Sequence, residues 1–173
     1  AADETVLGSA ATLNATDDLD GGDGTDALVL YGTGNYDLRA LAGFQNFEEV
    51  RLVNLTTAQN STLFLRDGAP VDVTTSGPGT NNIWLTSLAE AGTVTGGDGR
   101  DLVRIWNDAQ AGTVDLGSGS DNVDIRQNGQ VGSISTGDGS DGVYLQTTAT
   151  VSQVDLGSGT DSLIFATAAS WDV

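Results

Sequence analysis

The 173-residue sequence predicts an all-β fold. It reads as a right-handed parallel β-roll or β-solenoid, with ~20-residue coils and two short strands per coil. Three observations lead there. A glycine-rich turn recurs every twenty residues in the second half of the chain. Apolar residues recur in columns at the same interval. No window sustains the 3.6-residue period of a long helix.

The repeat is plainest from Gly97 onward. Gly97-Asp98-Gly99-Arg100-Asp101 is followed by Gly117-Ser118-Gly119-Ser120-Asp121. Gly137-Asp138-Gly139-Ser140-Asp141 and Gly157-Ser158-Gly159-Thr160-Asp161 come next. After each Asp, one apolar column holds Ile83, Val103, Val123, Val143 and Leu163. The next holds Leu85, Ile105, Ile125, Leu145 and Phe165. The step of two between these columns marks strands with one buried face. Half a coil away lie Val71, Ala91, Ala111, Val131 and Val151, and then Val94, Val114, Ile134 and Val154. They mark a second strand. Stacked ~4.8 Å apart, such coils make two facing parallel sheets. A three-sheet cross-section would call for a longer coil.

The whole of 1–173 reads as one solenoid domain, irregular over 1–60 and regular over 61–166. Leu63 and Leu65 join the first two columns, and Asn81 stands where later coils have Asp. Gly21-Gly22-Asp23-Gly24-Thr25-Asp26 is a further turn, leading to Leu28 and Leu30. Asp37 to Leu41 suits one helical turn, and Val50 and Leu52 suit a strand. Trp171 is expected to cap the last coil. The chain is expected to be a fragment of a longer secreted protein.

Composition excludes several chemistries. There is no His, Cys, Lys or Met. The usual zinc ligands, a thiolate nucleophile and a Ser-His-Asp triad are therefore absent. With 24 acidic residues against 6 basic ones, the net charge of −18 repels nucleic acid and anionic membranes. No apolar run is long enough to span a bilayer. Such a charge calls for counter-ions.

The turns suggest which ions. Glycine lets backbone carbonyls swing to one side, and carbonyls with carboxylates are the ligands calcium prefers. Asp101, Asp121, Asp141 and Asp161 fall in one column. Neighbouring carboxylates ~5 Å apart repel by roughly 1 kcal/mol in a water-like dielectric and ~3 kcal/mol at an effective value of 20. A cation between neighbours removes that repulsion and staples coil to coil. The candidate ligand set is Gly22, Asp23, Gly24 and Asp26, then Gly97, Asp98, Gly99 and Asp101. It continues through Gly117, Gly119, Asp121, Gly137, Asp138, Gly139, Asp141, Gly157, Gly159 and Asp161. Magnesium fits poorly, because it keeps its waters and demands octahedral geometry.

Gly96-Gly97-Asp98-Gly99-Arg100-Asp101-Leu102-Val103-Arg104 resembles the RTX (repeats-in-toxin) nonapeptide Gly-Gly-x-Gly-x-Asp-x-U-x, in which U is a large apolar residue. Gly21 to Val29 fits it equally well, whereas Leu116, Thr136 and Leu156 replace the first Gly in the other copies. The resemblance covers about half the chain. It implies a calcium-binding β-roll, type I secretion and folding triggered by extracellular calcium. RTX rolls typically carry two nonapeptides per coil. Here the second turns, Asn107 to Gly112, Gln127 to Gly132 and Gln146 to Ser152, lack the motif. Calcium is therefore expected along one edge only. The stretch from Leu41 to Leu52, with Gly43, Phe44 and Phe47, also resembles a linker of bacterial surface-layer proteins and large adhesins.

Trp84 and Trp106 fall on the outward-facing parity, with Arg104, Asp124 and Tyr144 beside them. They read either as a cation–π and ion-pair ladder, Trp84-Arg104-Asp124, or as a contact for a glycan or partner. Asp108, Asp115, Asp124 and Asp155 read as a solvated acidic surface rather than as catalysts. The expected function is a non-enzymatic calcium-binding module of a secreted, extracellular surface-layer or adhesin protein. Its expected partners are neighbouring copies or domains and cell-surface polysaccharide, without nucleic acid or membrane insertion. The alternative is a carbohydrate-binding or targeting module of a secreted RTX enzyme.

Overall fold

The computed structural model describes residues 2–68 and 70–166. It is a parallel β-solenoid. Eight strands form one sheet: β1 (Thr5–Ser9), β3 (Ala27–Tyr31), β6 (Glu49–Val53), β8 (Val71–Ser76), β10 (Glu90–Thr95), β12 (Gln110–Asp115), β15 (Gln130–Ser135) and β18 (Thr150–Asp155). Seven form the facing sheet: β4 (Gly34–Asp37), β7 (Asn60–Phe64), β9 (Thr80–Leu85), β11 (Asp101–Ile105), β14 (Asn122–Ile125), β17 (Gly142–Gln146) and β20 (Ser162–Ala166). The predicted columns are the observed register. Val103 pairs with Ile83 and Val123, and Ala111 with Ala91 and Val131.

Between the sheets lies the core, with Leu28, Leu30, Leu52, Leu63, Ile83, Leu85, Ile105 and Ile125 all fully buried. Each contributes about 1.5–3 kcal/mol of apolar burial. In β10, β12 and β15 the buried residues are three apart rather than two. Gly92, Gly112 and Gly132 sit in the extra position, and the register shifts between Ala91 and Val94. A bulge of this kind keeps both apolar columns pointing inward.

Two expectations need correcting. The first 60 residues are not irregular: they are coils of a longer period. Thr5 pairs with Ala27 and Ala27 with Glu49, a spacing of 22 residues. The cross-section also has more than two sheets. The glycine-rich turns form a short third ladder of β13 (Ser118–Gly119), β16 (Asp138–Gly139) and β19 (Ser158–Gly159). The extra residues of the early coils hold the single helical turn, Leu38–Ala40, whose cap is Asp37. They also hold the pair β2 (Asp18–Asp20) and β5 (Gly43–Gln45). Among the described residues, no helix is long and apolar enough to cross a membrane. Trp171 lies outside the described residues.

Candidate metal centre

Strand parity decides where the repeated aspartates go. Asp101 starts β11, two residues before the inward Val103, so its side chain also turns inward. Asp121 and Asp141 occupy the same place one and two coils on. Asp101 and Asp121 are 0 % exposed, and Asp141 is 3 % exposed. The result is a carboxylate column inside the solenoid wall.

Each carboxylate is tied to the coil before it. The backbone N–H of Asp101 donates to Asp121 Oδ1 at 2.8 Å, and that of Asp121 to Asp141 Oδ1 at 2.8 Å. Asp141 N–H continues the ladder to Asp161 Oδ1 at 3.0 Å. Asp101 Oδ1 instead accepts from Thr75 Oγ1 and Asn81 Nδ2, both at 2.9 Å. The second oxygens are the anomaly. Five buried polar side-chain atoms lack a hydrogen-bond partner among the described residues. Four lie in aspartate-type positions: Oδ2 of Asp26, Asp121 and Asp141, and Oδ1 of Asn81. A buried acceptor left bare costs about 1–3 kcal/mol, more when charged. A proton or a cation removes that cost. Burial pushes the Asp121 carboxyl up to about 7, and the charges of Asp101 and Asp141 add to this. Burial also raises Asp101, against the pull of Asn81 and Thr75.

The third glycine of each motif shapes the space beside the carboxylate. A Cβ on Gly139 would collide with the Gly119 carbonyl oxygen and lie 3.0 Å from Asp141 Oδ1. At Gly119 it would meet the Gly99 carbonyl and come within 2.9 Å of Asp121 Oδ1. Glycine thus leaves an oxygen-lined notch in every coil. The carbonyls of Gly97, Gly117 and Gly137 each accept one N–H from the next coil, at 2.8–2.9 Å. Each carbonyl keeps a second lone pair. This donor set, with carboxylate and carbonyl oxygen alone, fits calcium. Among the described residues no three acidic side chains cluster, so backbone oxygens would have to complete any such shell.

Not every predicted ligand reaches this column. Asp23, Asp98 and Asp138 are exposed on the outside of their turns. Asp98 and Asp138 accept the hydroxyls of Ser118 and Ser158 at 3.1 and 2.5 Å. The turn at 21–25 precedes β3 of the eight-stranded sheet, whereas the other four precede strands of the seven-stranded sheet. It therefore sits on the opposite edge, and the expected single row of motifs is split between two edges. Glu4 and Glu48 flank it there. Glu4 N–H donates to Asp26 Oδ1 at 2.6 Å, and Asp26 N–H to Glu48 Oε2 at 2.6 Å. The nearby Asp26 carboxyl raises that of Glu4. Sequence reading missed both glutamates, although their 22-residue spacing from Asp26 was the available signal.

On the Asp26 edge the later coils close with ordinary turns. Ala109 N–H reaches Trp106 O at 3.3 Å, and Gly129 N–H reaches Arg126 O at 2.9 Å. Asn107, Asp108, Gln127 and Asn128 adopt positive φ there. The outward face of the seven-stranded sheet carries the predicted aromatic ladder. Arg104 sits over Trp84 at 4.5 Å, and Trp84 meets Trp106 edge-on at 5.1 Å. The ladder's ion pair is different from the expected one: Asp124 pairs with Arg126 at 2.8 Å, not with Arg104. No protein-family model, no curated protein and no solved structure matches the chain.

Proposed function

We propose that the protein is a calcium-binding, RTX-type β-roll module of a secreted bacterial surface protein, from a surface layer or an adhesin. The observation that carries this reading is the buried aspartate column, with bare Oδ2 atoms on Asp121 and Asp141 beside glycine notches. Asp101, Asp121, Asp141 and Asp161 would hold the ions together with carbonyls of Gly97, Gly99, Gly117, Gly119, Gly137, Gly139, Gly157 and Gly159. Asp26, with Gly22 and Gly24, would do so on the other edge. The bound ion supplies positive charge between coils. The protein's own groups keep the column in register through the N–H to Oδ1 ladder.

Calcium then couples folding to export. At low calcium the net charge of −18 opposes compaction. At extracellular calcium the column is neutralised and the sheets close. The role is structural rather than enzymatic: a stiff rod that links neighbouring copies or domains. Far-UV circular dichroism during a calcium titration tests it, with magnesium as the control. A cooperative gain of β signal with calcium, lost in Asp121→Ala/Asp141→Ala, supports the reading. A spectrum already folded in chelator at pH 8, and unmoved by calcium, overturns it.

A further inference from the structure

The outer face of the seven-stranded sheet gathers cations that are scarce in this chain, which has 6 basic residues against 24 acidic ones. Arg100 and Arg126 both act on Arg104 electrostatically, as does Asp124. Asp124 is already engaged by Arg126 at 2.8 Å, and Arg100 Nε donates to Ser120 O at 3.1 Å. Arg104 is different. Its guanidinium is half-buried over the Trp84 ring and makes no ion pair or hydrogen bond among the described residues. A cation–π contact offsets its charge but leaves its N–H donors unused. Beside it is a depression of about 240 Å³ lined by Leu102, Val103, Arg104, Asn122 and Asp124.

We propose that this depression seats a carboxylate-bearing sugar unit of an acidic polysaccharide. Arg104 would take the carboxylate as a fork. Asn122 and Asp124 would take ring hydroxyls, and Leu102 the apolar face of the ring. Charge selects the occupant. Three guanidiniums around one carboxylate make a local positive spot, while the rest of the chain repels anions. The aromatic rings do not carry the recognition, because Arg104 covers Trp84 and Arg126 sits over Trp106 at 5.0 Å. The site does not depend on the calcium reading, since Arg104 faces outward from the strand whose Asp101 faces inward.

The test is calorimetric binding of trigalacturonate to the full chain in calcium buffer, with maltotriose as the neutral comparison. Wild type is expected to bind trigalacturonate and not maltotriose. Arg104→Gln is expected to weaken that binding at least tenfold with an unchanged far-UV spectrum. If Arg104→Gln misfolds, Asn122→Ala supplies the same readout with every arginine intact. Absence of trigalacturonate binding, equal maltotriose binding, or unchanged affinity in the folded variants overturns the proposal. So does self-association without sugar that Arg104→Gln abolishes, because the face would then belong to a second copy.

Discussion

Asp121→Asn separates the proton, the cation and the backbone at a single position. The amide keeps Oδ1, so it still accepts the Asp101 N–H, now at 2.8 Å. It replaces the bare Oδ2 with a donor. Asn81 shows where such a donor goes: its Nδ2 reaches the carboxylate one coil on, Asp101 Oδ1, at 2.9 Å. The new amide is therefore expected to reach Asp141 Oδ1. The magnitude follows from burial. In the metal-free fold the Asp121 carboxyl is raised from 3.8 to about 7. The folded chain holds that proton up to about pH 7, whereas the unfolded chain releases it near 3.8. Stability is thus full below pH 3.8 and falls as pH rises through 7, by about 4 kcal/mol in all. The Asn variant lacks this slope. In chelator at pH 8 it is expected to be the more stable protein, by up to about 4 kcal/mol, or about 8–16 °C in Tm. Thermal melts followed by circular dichroism at pH 5, 6, 7 and 8 measure this directly. In saturating calcium the order is expected to reverse. A metal-free wild type with flat stability from pH 5 to 8 would refute the reasoning. A variant less stable than wild type in chelator at pH 8 would do the same.

Other substitutions probe separate links. Gly139→Ala drives a Cβ against the Gly119 carbonyl and Asp141 Oδ1, so it is expected to abolish the calcium-dependent transition in a dichroism titration. Gly22→Ala meets open space at φ +89° and is expected to cost only the left-handed strain, about 1–2 kcal/mol in a urea melt. Asp98→Asn with Asp138→Asn alters exposed carboxylates outside the column. It is expected to shift the calcium midpoint less than Asp121→Asn alone, by calorimetry. Ile125→Ala empties a fully buried place in the core and is expected to cost about 2–5 kcal/mol in calcium.

The solenoid was legible because its coils repeat without a gap. Val103, Val123 and Val143 pair as their twenty-residue spacing requires, and a one-residue slip would turn every side chain to the wrong face. The inward turn of Asp101 and Asp121 followed from the same parity. The N-terminal coils were hidden by their own period. A search at twenty cannot align Val6 with Leu28 and Val50, which stack at 22. That error concealed Glu4 and Glu48 and placed the Asp26 turn on the wrong edge. The hydrogen-bond partner of each Oδ1 was also illegible. It depends on how far a backbone N–H sits from a carboxylate one coil away, and no sequence pattern encodes that distance. The Arg126–Asp124 pair was missed for a simpler reason. Column logic joined Arg104 to Asp124 across strands, while the actual partner stands two residues along the chain.

Crystals of the chain grown in calcium, with data collected at a long wavelength, locate the ions themselves through their anomalous signal. The account expects peaks between successive coils, each shared by two members of the Asp101–Asp121–Asp141–Asp161 column and by glycine carbonyls. A saturated crystal with no peak along this column, its carboxylates still bonded only to backbone N–H groups, would contradict it.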